Sequence, residues 1–319
     1  MTGPGLPPGG GLLLVDKPSG CTSHDVVGRV RRVLGRKRVG HAGTLDPMAT
    51  GLLVVAVDRA TRLLGHLALT DKTYRATVRL GVSTDFDDAD GTVTGTADAA
   101  GVDDASLIAA MATLTGDLLQ VPSAVSAIKV DGRRAYDRVR SGERVELAAR
   151  PVTVGRFDLD APPRRAGGHI DLDVTVDCTT GTYVRSLARD LGAALGVGGH
   201  LTALRRTRVG PFALDGPTGG AVGAVDVFRG VPADRPPVTE ELVAHVRDAL
   251  LPAADAVRLA FPVRTVTAAQ AVDLGHGRRI DAGGIAGTYA AFDPAGGLVA
   301  LVADQDGRTR SVFGWQAGG

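Results

Sequence analysis

The residues best suited to chemistry lie between Gly40 and Gly51, in the stretch GHAGTLDPMATG, which carries one carboxylate, Asp46, and one histidine, His41. Its glycines, threonines and proline show no helical or strand periodicity, so it is predicted to form a folded loop. Pro47 disfavours helical backbone at Asp46 and thereby fixes the direction of the carboxylate. The carboxylate could serve as a nucleophile, or it could only stabilise the loop through an Asx-type turn.

A cation in an unfavourable position offers this carboxylate a partner. The apolar stripe of Val184, Leu187 and Leu191 predicts a helix whose first turn contains Arg185. A positive charge there opposes the helix dipole at a cost of roughly 0.3–1 kcal/mol. A nearby carboxylate would offset that cost, and the same pairing would keep Asp46 ionised in a water-poor pocket.

The segment that precedes the loop is strongly basic. It has no acidic residue from Val26 to Leu45 and contains Arg29, Arg31, Arg32, Arg36, Lys37 and Arg38. A basic face of this kind is typical of contact with a phosphate backbone, although a charged helix that is merely solvated has the same composition. The net charge of +1 does not by itself indicate a nucleic-acid partner.

Three elements are predicted to position these residues. A helix over Val26–Leu34 ends at Gly35, and an alternating strand over Tyr74–Leu80 places Tyr74 on its inward face, where it could also be an ordinary core tyrosine. A second alternating strand covers 170–178. Between them, residues 120–151 form an insertion in which Asp131-Gly132 predicts a hairpin.

Composition limits the remaining possibilities. With 319 residues and 44% apolar content, the chain is predicted to be α+β, with a frayed tail at 1–10 and a small β-rich module at the C-terminal end. It has no eighteen-residue apolar run and no signal-peptide pattern, and Cys21 and Cys178 are expected to be free thiols in a reducing cytoplasm. Motifs for nucleoside triphosphates, zinc and serine nucleophiles are absent, so no metal or cofactor is predicted.

Several motifs together resemble one family. The loop around Asp46 is similar to the active-site loop of the TruB family, bacterial tRNA pseudouridine synthases that modify the T-loop uridine at position 55. The family's other motifs follow in its order: Asp16-Lys17-Pro18, Asp71-Lys72-Thr73-Tyr74-Arg75, the acidic loop Thr84 to Gly91, Pro122 to Lys129, Gly181-Thr182-Tyr183-Val184-Arg185 and Leu204-Arg205-Arg206.

The resemblance implies a fold and a set of roles. The fold would be a mixed, mainly antiparallel sheet flanked by helices. Residues 11–255 would form the catalytic domain, with a thumb-like insertion at 120–151, and residues 256–319 would form a PUA-like module. Asp46 would be the nucleophile, and no cofactor would be required. Arg185 would pair with Asp46, Tyr74 would stack on the flipped base, Tyr183 and Leu204 would line the pocket, and His41 would fill the gap that the base leaves.

The resemblance also implies an RNA partner, the T-arm of tRNA, with no membrane, no obligatory protein partner and a monomeric enzyme. The cations predicted to contact the RNA backbone are Lys17, Arg29, Arg32, Arg36, Lys37, Arg38, Lys129, Arg205 and Arg206. Two alternatives stay open: a tRNA-binding or chaperone protein without catalysis, and a guide-RNA-dependent pseudouridine synthase.

Overall fold

The computed structural model describes residues 5–68, 70–123, 129–130, 133–134, 147–214, 224–228 and 237–315. The helices are α1 Ser23–Leu34, α2 Leu64–Leu67, α3 Asp104–Thr113, α4 Val184–Ala194, α5 Glu240–Asp248, α6 Ala253–Ala260 and α7 Ala268–Gly275, with a 3-10 helix at Asp58–Leu63. The first strands are β1 Gly11–Lys17, β2 Val39–Ala42, β3 Thr50–Val57, β4 Lys72–Leu80, β5 Val82–Thr84, β6 Val93–Thr96 and β7 Gly116–Gln120. They are followed by β8 Lys129–Val130, β9 Arg133–Arg134, β10 Arg150–Leu159, β11 Arg164–Ala166, β12 His169–Cys178, β13 Gly199–Val209, β14 Phe212–Ala213 and β15 Leu251–Pro252.

One large mixed sheet organises the chain, in the order β15-β1-β3-β13-β4-β12-β10-β7. Its pairings are antiparallel except for β3 with β13, where Arg205 and Arg206 lie beside Thr50 and Gly51. Strand β13 therefore joins the Asp46 region to β4, and Tyr74 on β4 lies directly opposite Arg206. The mainly antiparallel α+β fold predicted from the sequence is confirmed.

The apolar runs of β1 and β3 are buried on both sheet faces. Residues Leu52 to Val57 are all 0% exposed, and successive residues belong to two different apolar clusters. An uninterrupted run of this kind is expected for a strand covered on both sides. The segment that contains Asp46 leads directly into β3 at Thr50 and is therefore attached to this buried layer.

Helix α1 forms as its sequence predicts. Thr22 accepts a hydrogen bond from the Asp25 backbone while Asp25 binds the Thr22 backbone, which is a complete capping box, and Gly35 ends the helix at φ 61°. Its apolar face packs against β1 and β3 in one cluster. The Ser23 hydroxyl at its start accepts from the Leu45 backbone N–H at 2.9 Å and so anchors the Asp46 loop.

The C-terminal part forms a second sheet. Its strands are β16 Val263–Thr265, β17 Ile280–Asp281, β18 Thr288–Phe292, β19 Leu298–Gln305 and β20 Arg308–Gly314, in the order β16-β18-β19-β20-β17. Trp315 and Phe313 receive the guanidinium groups of Arg59 and Arg62 on their ring faces, at 5.5 and 4.7 Å from the centroids. The predicted small β-rich C-terminal module is confirmed, and these contacts fix it to the larger sheet.

Three local predictions require correction or limitation. The described part of the tail is not frayed, because the Gly9 carbonyl accepts from the Ala60 N–H and Gly10 from Ala253. The predicted loop at Gly40–Gly51 is shorter, since β2 extends to Ala42 and β3 begins at Thr50, and the two strands pair with His41 opposite Val55. Strands β8 and β9 pair antiparallel, as the hairpin prediction requires, but most of the thumb-like insertion and the Lys129 side chain lie outside the described residues.

Candidate active site

Asp46 lies at the edge of a cavity of about 260 Å³ between the Asp46 loop, β4, β13 and the start of α4. The cavity is lined by Gly43, Thr44, Leu45, Asp46, Lys72, Tyr74, Thr180, Gly181, Thr182, Tyr183, Val184, Arg185, Leu204 and Arg206. Asp46, Tyr74, Tyr183, Leu204 and Arg185 were predicted as site residues, and the structure brings all five to this one cavity.

A guanidinium fork holds the Asp46 carboxylate. Arg185 Nε lies 3.1 Å from Asp46 Oδ2, and Nη2 donates to Oδ1 at 3.2 Å. The Arg185 side chain is 4% exposed, whereas that of Asp46 is 36% exposed. Two parallel contacts fix the carboxylate in direction as well as in charge, while one side of it stays accessible from the cavity.

The acidic loop supplies Arg185 with a second carboxylate that the sequence analysis did not identify. Arg185 Nη1 lies 3.3 Å from Asp88 Oδ2 and donates to the Phe86 carbonyl at 2.9 Å. Asp88 is 3% exposed, and burial raises its pKa to about 6 while the charge of Arg185 opposes that rise. Arg185 is therefore clamped between Asp46 and the acidic loop.

Asp88→Asn is expected to lower the single-turnover rate about 10- to 100-fold, from the 1.5–3 kcal/mol typical of a hydrogen bond to a charged group. With a pKa of about 6, Asp88 is charged and bound to Arg185 above that pH and loses its charge below it. The wild-type rate should thus rise with pH through about 6, whereas the asparagine variant should lack this inflection.

The single-turnover rate measured from pH 5 to pH 8 in both proteins provides this test. Asp85→Asn is the matched control, because Asp85 belongs to the same loop but is exposed and binds the Thr92 N–H. If Asp88→Asn kept the wild-type inflection, the group that titrates would not be Asp88.

His41 is neutral but does not line the cavity. Burial, followed by the neighbouring His24 and Arg206, lowers its pKa to about 4. Its ring meets that of His24 edge-on at a centroid distance of 5.6 Å, and within the described chain its buried Nδ1 has no hydrogen-bond partner. The resemblance implies that His41 fills the gap that the flipped base leaves in the RNA. A position beside the Asp46 loop but outside the cavity fits that role, because there His41 would contact the RNA and not the flipped base.

Three predicted RNA-contacting cations are instead buried. Lys17 is 0% exposed and its Nζ donates to the carbonyls of Cys21 and Pro47 at 2.7 and 3.2 Å. Arg29 is 4% exposed and its Nε donates to the Val227 carbonyl at 3.1 Å, because residues 224–228 pack over this side of α1. Arg206, at 1% exposure, lies in the cavity wall. The burial of these three side chains does not support the predicted contacts with the RNA backbone.

The remaining predicted cations are at the surface or outside the described residues. Arg32, Lys37 and Arg38 are exposed. Arg36 pairs with Asp58 at 3.6 Å, and Arg205 binds both oxygens of Asp16 at 2.9 and 2.7 Å. The Lys129 side chain lies outside the described residues. Arg32, Lys37 and Arg38 thus form a basic surface on the α1–β2 side of the Asp46 loop.

Within the described ranges, no three His, Cys, Asp or Glu side chains come close enough to hold a metal ion. No helix in that part of the chain combines the length and the apolar character of a membrane span. Cys21 and Cys178 are free and buried, as predicted. The chemistry of the cavity is set by one accessible carboxylate, cations and two tyrosines.

The fold and this site define a pseudouridylate synthase. Residues 31–184 match the family model described as TruB family pseudouridylate synthase (N terminal domain). Residues 185–257 match that of the tRNA pseudouridylate synthase B C-terminal domain, and 261–315 that of tRNA pseudouridine synthase II, C terminal. The chain belongs to the TruB family.

Individual relatives agree with this assignment. The chain is 54% identical to tRNA pseudouridine synthase B of Nocardia farcinica, over 96% of this chain and 93% of the relative. It is 52% identical to the protein of the same name from Arthrobacter sp., over 95% of each. Among solved structures, a Cbf5-Nop10-Gar1 complex matches with a TM-score of 0.66 and 27% identity, covering 96% of this chain and 84% of that one.

Proposed function

We propose that this enzyme isomerises uridine to pseudouridine in the T-loop of tRNA, at position 55, with Asp46 as the nucleophile. The observation that carries the proposal is the two-point contact of Arg185 with Asp46 at 3.1 and 3.2 Å, at the edge of a cavity large enough for one base. The pairing fixes the direction of the carboxylate, which is what a carboxylate nucleophile needs.

In this proposal the target uridine leaves its stack and enters the cavity. Asp46 then attacks either base C6 or ribose C1′. The C1′–N1 bond breaks, the base rotates within the cavity, and a C1′–C5 bond forms. The bond to Asp46 then breaks and returns the free carboxylate, while C5 loses its proton and N1 takes one up. Tyr74 and Leu204 supply the buried surface against which the base packs, and they exclude water that would hydrolyse an intermediate.

The chain is proposed to contain three functional units. Residues 11–255 would form the catalytic part, residues 120–151 would contact the RNA as a thumb-like insertion, and residues 256–319 would contact the tRNA away from the T-loop as a PUA-like module. The separate sheet β16-β18-β19-β20-β17 supports treating the last unit by itself. The enzyme is proposed to act in the cytoplasm as a monomer.

The decisive experiment is mass-spectrometric mapping of pseudouridine on unmodified tRNA and on an isolated T-arm hairpin treated with this protein alone. Modification confined to the T-loop uridine is expected. Binding without modification would favour the tRNA-binding or chaperone alternative. Modification only after a guide RNA is added would favour the guide-dependent alternative. The likeness to an archaeal box H/ACA sRNP Nop10-Cbf5 complex, at a TM-score of 0.64, is the reason to include this test.

Replacing Arg32, Lys37 and Arg38 together by alanine is expected to raise the Kd for tRNA and leave the single-turnover rate at saturation unchanged. These exposed cations lie outside the cavity, so they can contribute attraction to phosphates but not to bond breaking. Each lost phosphate contact should reduce the slope of log Kd against log salt by about one.

Filter binding at several salt concentrations measures the Kd for tRNA and the slope of its salt dependence. Arg156→Ala is the matched control, because Arg156 is an exposed arginine on β10, at the other end of the sheet, and pairs with Asp158. A triple variant with the wild-type salt slope would show that the RNA does not lie on this basic surface.

A further inference from the structure

Arg206 is the largest fully buried side chain among the described residues, although arginine is rarely buried without a carboxylate. Its Nε donates to the Leu52 carbonyl at 2.8 Å, and its Nη2 donates to the Gly43 carbonyl at 2.8 Å. Across the described ranges no carboxylate forms an ion pair with it. Neutral oxygens therefore hold this cation in the cavity wall, and its charge is not cancelled locally.

The position of Arg206 on the sheet brings it to Tyr74. The two residues are direct partners on the antiparallel strands β13 and β4, so their side chains project from the same face. Both line the cavity that contains Asp46. Tyr74 is 8% exposed, so its hydroxyl depends on protein or substrate for hydrogen bonds.

The electrostatics of Tyr74 reflect this neighbour. Burial raises the pKa of the Tyr74 hydroxyl, and the charge of the Arg206 guanidinium opposes that rise. Arginine has only donors, so the phenol oxygen can face this guanidinium only as an acceptor. The hydroxyl hydrogen is then left to donate, and within the described part of the chain it has no protein acceptor.

The same guanidinium reaches the loop that carries the carboxylate. Gly43 has φ 72°, and a Cβ atom at this position would lie 3.2 Å from Arg206 Nη1. The Gly43 turn and the guanidinium therefore fit closely, three residues before Asp46. One side chain contacts β3, the Asp46 loop and Tyr74 at once.

We propose that Arg206, itself held by the Gly43 and Leu52 carbonyls, is a positioning residue that fixes Tyr74 as a hydrogen-bond donor toward the substrate. This inference rests on the function proposed above. It assigns Arg206 a role inside the cavity that is parallel to that of Arg185, since one guanidinium orients the carboxylate and the other orients the phenol.

A double-mutant cycle tests the inference, with Arg206→Met, Tyr74→Phe and the double variant assayed for single-turnover tritium release from a T-arm RNA. Arg206→Met is expected to slow the wild-type enzyme about 10- to 100-fold, within the range of coupling between residues in contact. In the Tyr74→Phe background the same change should cost less than about threefold, because the hydroxyl that Arg206 orients is already absent. The Kd for RNA should stay within about twofold of the wild-type value, because a buried cation makes no phosphate contact.

Arg208→Met is the matched control on the same strand, because Arg208 donates to Thr73 Oγ1 at 2.8 Å, next to Tyr74, yet does not line the cavity. Its rate should stay within about twofold of the wild type, as expected for a substitution outside such a network. Thermal unfolding identifies loss of fold, and Arg206→Lys replaces the methionine variant if that variant does not fold. The lysine variant should likewise be slowed in the wild-type background and not in the Tyr74→Phe background.

Two results would overturn the inference: equal loss of rate in both backgrounds, or a rise in Kd at unchanged rate, which would make Arg206 a backbone contact after all. A wild-type protein that releases no tritium would instead reject the proposed function, so the two failures are distinguishable.

Discussion

Asp46→Asn is expected to give a folded protein that binds tRNA and forms no pseudouridine. The amide has the shape of the carboxylate but carries no negative charge, so it cannot act as the nucleophile. Loss of a nucleophile typically costs on the order of 10⁴-fold or more in rate. Because the Asp46 side chain is partly exposed and the loop is anchored through Leu45 and Pro47, the substitution should change the melting temperature little.

Tritium release measures the rate, and filter binding measures the affinity of the same preparation. Asp171→Asn is a suitable control, because Asp171 forms an equally well aligned pair with Arg79, at 2.7 Å for both contacts, away from the cavity. This control should retain activity within about twofold, as for other sites outside the reaction centre. Substantial pseudouridine formation by Asp46→Asn would end the assignment of Asp46.

Arg185→Lys is expected to reduce the rate by roughly 10²–10³-fold, with the affinity for tRNA within about threefold of the wild type. A single ammonium keeps the charge but cannot reproduce the planar fork. It cannot contact both oxygens of Asp46 while also reaching Asp88 and the Phe86 carbonyl, as the guanidinium does. The carboxylate of Asp46 would therefore lose its fixed direction.

Stability gives a second observable for this variant. Loss of one partner of a buried ion pair typically lowers the free energy of unfolding by about 3–5 kcal/mol. The lysine variant should therefore melt at a lower temperature than Arg79→Lys, because the pair of Arg79 with Asp171 is partly exposed. The affinity measurement decides between roles. If affinity collapsed while the rate on bound tRNA persisted, Arg185 would be a phosphate contact and not the partner of Asp46.

The pairing of Asp46 with Arg185 was accessible from the sequence because both residues break local expectations. Asp46 is the only carboxylate in a loop of small residues, and Arg185 places a cation where the helix dipole disfavours it. The strand over Tyr74–Leu80 was equally accessible, since alternation of apolar and polar residues is a strong signal for a half-buried strand. The fold class and the cavity residues follow from these few signals.

The burial of several cations could not be predicted from the sequence. Lys17 and Arg29 donate to the backbone carbonyls of Pro47 and Val227, which are 30 and 198 residues distant in sequence. A carbonyl leaves no trace in residue type, so a basic residue in a basic segment is assigned to the surface by default. Asp88 was missed for a related reason: four acids in one short loop predict a solvated segment, and only the fold distinguishes the two that are buried, Asp87 and Asp88.

The place of β13 in the sheet has a consequence for how the protein is made. Strands β3 and β4 are complete by residue 80, but β13, which lies between them, begins only at residue 199. At translation rates of roughly 5–20 residues per second, a nascent chain spends on the order of ten seconds with both strand edges unpaired. Arg185, Leu204 and Arg206 all emerge at the end of that interval, so the ribosome releases a competent enzyme only after the middle strand has closed the sheet.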